Sequence, residues 1–220
     1  MKTLAVDIGN SSWKAGLFDG ARLLRTGTAA LRSRPDRVLV SSVNPPALRK
    51  LLPRLRRLGA PVRIAGKDIP IPLKNPCRGV GPDRLLGAYA AWRRVRGPVL
   101  VIDIGTAMTL NLVDVQGRFV GGAIFAGPET ALRALADGTA LLPRVRPTKA
   151  VFPARATREA LQAGARLACL GFAREGIAEA AKALGKRPVV FVTGGGAGML
   201  AGLQGARFVP GLVLEGLAEL

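Results

Sequence analysis

A short pattern of an apolar run followed by Asp, Ile and Gly occurs twice in this chain and constrains its fold more than any other feature. The first copy ends a candidate β-strand at Asp7, and the second places Asp103 96 positions later. Each copy is followed by a small polar residue, a second apolar strand and an acidic turn. Because internal repeats indicate repeated structural units, the sequence predicts two similar domains that face each other.

Each copy carries the groups that phosphate oxygens and a metal ion require. A carboxylate at the end of a buried strand is costly unless it meets a cation or hydrogen-bond donors. The glycine that follows permits a tight turn and the close approach of a ligand to the backbone. Polar side chains come next, beside backbone N–H groups that can bind phosphate. The candidate residues are Asp7, Gly9, Asn10, Ser11 and Ser12 in the first copy, and Asp103, Gly105 and Thr106 in the second.

A simpler interpretation of one such copy is a β-hairpin whose aspartate caps its own turn. That interpretation suffices for a single Asp-x-Gly, because aspartate and glycine are common in turns. Two copies at matched positions favour phosphate binding.

The composition narrows the chemistry. The 220 residues include no histidine, which excludes histidine-activated nucleophiles and histidine zinc sites. A general base must therefore be a carboxylate, a lysine or a tyrosine. Cys77 and Cys169 lack metal-ligand spacing, so we expect free thiols in a reducing compartment. The N-terminus does not resemble a signal peptide, and no apolar stretch reaches about 18 residues. We expect a cytoplasmic protein without a membrane span.

The charge is strongly positive: 33 lysines and arginines against 14 acidic residues give +19. Such a protein can bind nucleic acid, an acidic partner or an anionic substrate. The arginines are scattered, however, and no aromatic side chains alternate with them as stacking platforms for bases. We therefore do not expect nucleic acid binding as the main function. A solvated, arginine-rich surface is the simpler interpretation.

The rest of the chain predicts an α/β protein. A helix is expected from Ala47 to Leu58. A proline-rich loop is expected from Gly66 to Val80, and another helix follows it. Asp83 and Arg84 lie at the start of that helix, where an aspartate either stabilises the helix dipole or acts in a cleft. Gly97 and Pro98 mark the predicted boundary between domains 1–97 and 98–220.

The second half predicts one long helix and one glycine-rich turn. Thr157 is expected to cap a helical region that runs to Leu184, with Gly171 and Gly176 as the positions where it could break. Glycines follow the strand Val189 to Val192, beginning at Gly194, and are expected to lead into a helix. A glycine-rich turn between a strand and a helix is a phosphate site by geometry, although the motif alone is weak.

These motifs, in this order, resemble the superfamily of acetate and sugar kinases, heat-shock chaperone ATPases and actin. Its members have two ribonuclease-H-like domains with mixed sheets flanked by helices, and ATP lies in the cleft between the domains. Four further motifs resemble type III pantothenate kinase, the first enzyme of coenzyme A synthesis, and the resemblance covers nearly the whole chain. They are Gly81-x-Asp83-Arg84, Gly121-Gly122-x-Ile124, Thr157 before Ala160 and Gly164, and the segment Leu212 to Leu217.

The resemblance implies a role for each matching residue. Asp83 would be the general base on the pantothenate hydroxyl, and Asp103 would bind a monovalent cation, K⁺ or NH₄⁺. Asp7 would act in catalysis by holding Mg²⁺ through ATP. The implied ATP contacts are Asp7, Gly9, Asn10, Ser11, Ser12, Lys14, Thr106, Gly194 and Gly195. The implied pantothenate contacts are Gly81, Pro82, Asp83, Arg84 and Thr157, the last across a homodimer interface.

Two positions depart from the family pattern. Ala126 stands where the family usually has proline, and Gly196 stands where an aspartate usually follows Thr-Gly-Gly. The acidic residues are retained, so we expect an active enzyme. Two alternatives stay open: a ligand- or nucleic-acid-binding regulator on the same fold, and a kinase for another small hydroxy acid.

Overall fold

The computed structural model describes residues 1–220, which pack into two compact units. The first unit contains residues 1–96, 117–119 and 211–220, and the second contains residues 97–116 and 120–210. Compact units defined by packing need not have the same boundaries as the repeated domains of a duplicated chain. The division into homologous domains 1–97 and 98–220 therefore stays a prediction.

The first unit is built on a five-stranded sheet with the strand order β3-β2-β1-β4-β5. The central strand β1 pairs antiparallel with β2 and parallel with β4. A 3₁₀ helix, Gly27–Arg32, joins β3 to β4. The C-terminal helix of the chain also belongs to this unit. The other elements are β1 (Lys2–Ile8), β2 (Trp13–Asp19), β3 (Arg22–Thr26), β4 (Arg37–Ser42), α1 (Pro45–Arg56), β5 (Val62–Ile64) and α2 (Pro82–Val95).

Side-chain alternation gives this sheet two apolar faces. Leu4, Val6 and Ile8 point to one face, which packs with leucines of α1. Ala5 and Leu39 point to the other, which packs with Leu86 of α2 and with the C-terminal helix, Leu212–Ala218. Because successive side chains of a strand alternate between faces, Asp7 belongs to the second face.

The second unit repeats this architecture. Its sheet order is β10-β9-β6-β7-β8, and the central strand β6 pairs antiparallel with β7 and parallel with β9. Each sheet thus has the same order and strand directions around its central strand, which confirms the duplicated fold. The elements are β6 (Val99–Ile104), β7 (Ala107–Val113), β8 (Phe119–Ala126), α3 (Pro128–Gly138), α4 (Thr157–Leu184), β9 (Val189–Thr193), β10 (Ala206–Phe208) and, closing the chain in the first unit, α5 (Leu212–Ala218).

The long helix α4 is unbroken over its 28 residues. Gly171 and Gly176 lie inside it, and a Cβ on Gly176 would overlap the side chain of Leu110 in β7. That glycine serves close packing of α4 on the sheet and does not break the helix. Thr157 is the first helical residue, and Ala156 occupies the cap position that the sequence assigned to the threonine.

The glycine-rich turn after β9 does not lead into an α-helix. The structure has a four-residue 3₁₀ helix there, Ala197–Leu200. Gly194 and Gly202 take positive φ angles of 90° and 91° on either side of it, conformations that do not continue a right-handed helix. The predicted turn is present, and the helix that follows it is a short 3₁₀ segment.

None of the helices combines the length and the apolar character that a membrane span needs.

Candidate active site

The first group of candidate residues lies at the end of β1. Asp7 is in register with Lys14 on β2 and with Ser41 on β4. Residues paired across neighbouring strands share a face of the sheet, so the carboxylate, the ammonium-bearing side chain and the hydroxyl stand in one row. Asp7 is half-buried and Lys14 is exposed. The row therefore runs from a fully buried hydroxyl to a solvated cation.

The turn after Asp7 is fixed by backbone hydrogen bonds. The Gly9 N–H donates to the carbonyl of Ser12 at 3.0 Å, and the Val43 N–H donates to the carbonyl of Ile8 at 3.1 Å. The Asn44 amide donates to the carbonyl of Asn10 at 3.4 Å. The side chains of Asn10, Ser11 and Ser12 are exposed. A fixed turn with exposed polar groups is suited to phosphate oxygens.

The surroundings of Ser41 show whether a hydrated metal ion fits beside Asp7. This serine is fully buried, and its Oγ has no hydrogen-bond partner within the protein. Buried hydroxyls are normally satisfied, and an exception calls for an explanation. A hydroxyl in register with a carboxylate suits a metal-bound water or phosphate oxygen, so the residues present fit a magnesium–nucleotide complex.

The second group lies at the start of α2. Gly81 is the N-cap residue, Pro82 occupies the first helical position, and Asp83 lies in the first turn. The backbone N–H of Arg84 donates to Asp83 Oδ1 at 2.9 Å. A Cβ on Gly81 would come within 2.5 Å of that same oxygen and 3.1 Å of Val43 Cγ1. Glycine at position 81 therefore makes room for the carboxylate.

Burial sets the protonation behaviour of Asp83. Desolvation raises the pKa of the carboxyl above its ordinary value, and it outweighs the backbone hydrogen bonds and the charge of Arg84, which lower the pKa. A carboxylate with a raised pKa is a stronger base than an exposed one. Asp83 thus has the chemistry of a general base in a protein without histidine.

Arg84 follows Asp83 in the first turn of α2 and contacts Phe119. Burial lowers the pKa of its guanidinium, and the neighbouring Asp83 and Cys77 oppose that shift. The guanidinium carbon lies 5.7 Å from the ring centroid of Phe119, within the range of a cation–π contact. The Cys77 thiol donates to the Phe119 carbonyl at 3.8 Å. The loop before α2 is therefore anchored close to Arg84.

The two groups of the first unit meet at one end of the sheet. The backbone of Val43 bonds to the last residue of β1, and its side chain lies beside the Gly81 position. The helix α2 covers the face to which Asp7 belongs. The start of α2, with Asp83, thus lies at the end of the sheet where Asp7 and Ser41 are found.

The second unit repeats this constellation around Asp103. Asp103 is in register with Thr109 on β7 and with Thr193 on β9. Both threonines are buried, as is Asn111, whose amide donates to Thr109 Oγ1 at 2.9 Å. Oxygen atoms from four side chains therefore gather on one face of this sheet.

Gly194 packs directly against the carboxylate of that group. It takes a φ of 90°, and a Cβ there would overlap Asp103 Oδ1 and the carbonyl of Ile104. The Gly196 N–H donates to the same carbonyl at 2.8 Å. The carbonyl of Thr106 accepts from Gly127 N–H at 3.0 Å and from Thr130 Oγ1 at 2.8 Å. The turns carrying Thr106 and Gly194 are thus brought together beside Asp103.

Thr157 lies in a different part of the second unit. It is exposed at the start of α4, where it lines an apolar groove formed with residues of α3 such as Leu132 and Leu135.

Ser41, Thr109, Asn111 and Thr193 belong to these groups but were not among the candidates from the sequence. A signal was available for two of them. Ser41 and Thr193 are polar residues that end otherwise apolar strands, and ligands of α/β proteins bind beyond the carboxyl ends of parallel strands. Thr109 and Asn111 are interior residues of β7 and carry no such signal.

The repeated sheet, with an acidic residue and a glycine turn at the end of each central strand, has the duplicated architecture of the actin-like fold. Two solved structures share this fold. One is a glucokinase of the ROK family from Streptomyces griseus with glucose and AMPPNP (TM-score 0.57, 14% identity, 100% of this chain and 98% of that chain). The other is described as a Baf family transcriptional activator from Campylobacter jejuni (TM-score 0.63, 20% identity, 97% and 94%).

Sequence comparison identifies the family. The type III pantothenate kinase model matches residues 26–180. A type III pantothenate kinase from Alkalilimnicola ehrlichii is 38% identical over 99% of this chain and 96% of its own length. The chain belongs to the type III pantothenate kinase family. Membership of a kinase family implies the use of ATP with a divalent metal ion.

Proposed function

We propose that this protein transfers the γ-phosphoryl group of ATP to the hydroxyl of pantothenate, forming 4′-phosphopantothenate in the first step of coenzyme A biosynthesis. The observation that carries the proposal is the position of Asp83. Its carboxylate has a raised pKa and lies at the start of α2, at the end of the sheet where Asp7 is found. Family membership supplies the acceptor substrate.

Asp83 acts as the general base in this proposal. It accepts the proton of the pantothenate hydroxyl as the oxygen attacks the γ-phosphorus, and the ADP oxygen takes the electron pair of the bond that breaks. Gly81 and Pro82 shape the substrate contact, and Arg84 pairs with the pantothenate carboxylate. A guanidinium is suited to this pairing because its N–H groups match the two carboxylate oxygens.

The phosphates are held by the two glycine turns. In the first unit, Asp7, Gly9, Asn10, Ser11, Ser12 and Lys14 contact the nucleotide; in the second, Thr106, Gly194 and Gly195 do. Magnesium, held near Asp7 through ATP, supplies charge neutralisation on the phosphate oxygens. Positioning and charge neutralisation are the main needs of phosphoryl transfer.

Asp103 is proposed as the ligand of a monovalent cation, K⁺ or NH₄⁺. The support is the set of oxygens around it, which Thr109, Asn111 and Thr193 provide in the buried part of the sheet. A large, singly charged cation is satisfied by one carboxylate and neutral oxygens, and register places Thr109 and Thr193 beside Asp103.

A homodimer is proposed from the apolar surface of the second unit. Exposed apolar side chains include Ile124, Phe125, Leu135, Leu141 and Leu167. A contiguous exposed patch of such residues marks a protein contact, and we propose that these side chains form one. In a dimer, Thr157 would reach the pantothenate of the partner. Sedimentation velocity checks the proposal: a species of twice the chain mass supports it, and a monomer at micromolar concentration contradicts it.

We also propose a cytoplasmic location, where ATP is supplied.

The decisive experiment measures 4′-phosphopantothenate formed from pantothenate, ATP and Mg²⁺, with K⁺ compared against Na⁺. Formation in K⁺, lost in Asp83→Asn, supports the reaction and the role of the base. Absence of product while ATP still binds would contradict pantothenate as the acceptor. Other small hydroxy acids would then be tested under the same conditions.

A further inference from the structure

A second concave surface of the second unit is lined by arginines. It is an open concavity of about 630 Å³ between α3, the connection that follows it and the first turns of α4, and its four arginines are exposed. Its polar lining consists of Arg133, Arg144, Arg146 and Arg158, with Glu129 and Gln162. We name this surface the arginine cavity. None of the residues proposed to bind ATP or pantothenate lines it. Its lining therefore differs from that of the candidate active site, although Arg158 directly follows Thr157 in the chain.

The charges in the arginine cavity are unbalanced. Four guanidinium groups face one carboxylate, that of Glu129. Among the four arginines, Arg144 has an ion pair, with Asp137 at 2.7 Å, whereas Arg133, Arg146 and Arg158 have none within 4.0 Å. Like charges that converge repel one another. A multivalent anion would relieve that repulsion and would satisfy the N–H groups of several arginines together.

The walls of the arginine cavity are held by contacts of their own. The Gln162 amide donates to the carbonyl of Arg146 at 3.0 Å, which fixes the connection against α4. The exposed Arg144–Asp137 pair joins that connection to α3 at the surface. A site whose walls are fixed before binding loses less entropy when the ligand arrives.

The start of α4 adds a further attraction for anions. Its N-cap residue is Ala156, which offers no side-chain acceptor to the N–H groups of the first turn. Arg158 lies in that turn and lines the cavity. A helix of 28 residues carries partial positive charge at its N-terminus, and phosphate groups bind there readily.

The lining also indicates the class of ligand. Arginine pairs with phosphate through two parallel N–H bonds, and four arginines exceed what one phosphate needs. The lining includes no aromatic side chain on which a base could stack. The volume lies in the range of sites for small molecules, roughly 300–1,000 Å³. We propose that the arginine cavity binds the polyphosphate group of a small molecule, with two or more phosphates, at a site distinct from the active site.

The test is equilibrium dialysis of labelled pyrophosphate and tripolyphosphate against the full chain, in metal-free buffer. The test variant is Arg133→Ala/Arg146→Ala. The matched control is Arg174→Ala/Arg187→Ala, which removes the same charge from exposed positions outside the cavity. We expect affinity to fall at least about 10-fold in the test variant and less than about 2-fold in the control, since charge-assisted hydrogen bonds are strong.

Three outcomes would overturn the proposal. Equal losses in the test and control variants would mean diffuse attraction by the net charge. Loss of probe binding in Lys14→Ala, which changes the candidate phosphate turn at Asp7, would place the probes in the active site. Tighter binding of an RNA of about 20 nucleotides, lost in the same test variant and with a steep salt dependence, would make the cavity part of a nucleic acid surface. ADP distinguishes the two sources of the ligand: binding as tight as tripolyphosphate indicates a nucleotide, and weaker binding indicates inorganic polyphosphate.

Discussion

Asp7 and Ser41 stand side by side on the parallel strands β1 and β4, in register and on the same face of the sheet. The serine is fully buried, and its Oγ has no hydrogen-bond partner within the protein. The next residue along the chain, Ser42, is different. Its Oγ donates to the Asn44 carbonyl and accepts from the Asn44 N–H, both at 3.2 Å. Two adjacent hydroxyls therefore have separate functions, one facing the active site and one stabilising the turn before α1.

Ser41→Ala is expected to lower activity without lowering stability. Turnover should fall about 10-fold or more, because groups that orient a ligand-binding carboxylate contribute on that scale. The free energy of unfolding should stay the same or rise by up to about 1 kcal/mol, since an unsatisfied buried hydroxyl is costly. Ser42→Ala is the control and should show the reverse pattern, with a loss of about 0.5–1.5 kcal/mol and near-normal turnover. Steady-state kinetics and urea unfolding measure both. Unchanged turnover in Ser41→Ala would remove Ser41 from the site.

Asp83 gives the enzyme a predicted pH dependence. Its pKa is raised by burial, and the general base must be ionised. The value of kcat/KM should therefore fall on the acidic side with a midpoint above about 4, the ordinary pKa of aspartate. Asp83→Asn should lower turnover by roughly 10²–10⁴-fold while ATP binding persists. A turnover equal to wild type would contradict the assignment.

The same pKa shift predicts how Asp83 affects stability. The neutral carboxyl is favoured in the folded state, so the stability that this group contributes is fully present at low pH. That contribution is lost as pH rises through the raised pKa. Asp83→Asn keeps the side chain neutral, so its free energy of unfolding at pH 7 should equal or exceed that of wild type. Urea unfolding at a series of pH values from about 4, the ordinary pKa of aspartate, up to pH 7 checks this: the variant's advantage should be smallest at the acidic end and larger at pH 7.

Position 194 requires glycine for two reasons: its backbone has a positive φ, and the Asp103 carboxylate leaves no space for a side chain. With a φ of 90° and no space for a Cβ against Asp103 Oδ1, Gly194→Ala should cost about 2–4 kcal/mol of stability. Gly195→Ala is the matched control, because a Cβ there meets nothing within 4 Å. It should change the free energy of unfolding by less than about 0.5 kcal/mol. Equal losses in the two variants would contradict the packing argument.

The sequence predicted the duplicated fold because the two Asp-x-Gly units preserve both a strand pattern and a turn. The positions of Asp83 and of the turn beginning at Gly194 followed from the same local rules. The helix expected after Gly194 is only a four-residue 3₁₀ segment, and the positive φ of Gly194 goes with its packing against Asp103 and Ile104 of β6. Gly176 was open to misinterpretation for a similar reason: its role is contact with Leu110, which lies far away in the sequence.

The parts of the site that the sequence did not predict depend on strand register. Ser41 is a site residue only because β4 pairs with β1 at Asp7, and Thr193 only because β9 pairs with β6 at Asp103. Parallel pairing between distant strands is fixed by the whole core, and no local pattern encodes it. The arginine cavity likewise joins three segments whose spacing in the sequence predicts no common surface.

The proposed cation site at Asp103 predicts a dependence on K⁺ that one substitution removes. Wild type should turn over faster in K⁺ than in Na⁺ at equal ionic strength, and Asp103→Asn should weaken K⁺ affinity by about 10–100-fold, so that the two salts give similar rates. Asp137→Asn is the charge-matched control: it removes an exposed carboxylate paired with Arg144 and should leave the K⁺ to Na⁺ ratio unchanged. Rates measured across a series of KCl concentrations give the apparent affinity. A wild type that is indifferent to the monovalent cation, or an Asp103→Asn variant that keeps the full dependence, would contradict this assignment and leave the role of Asp83 untouched.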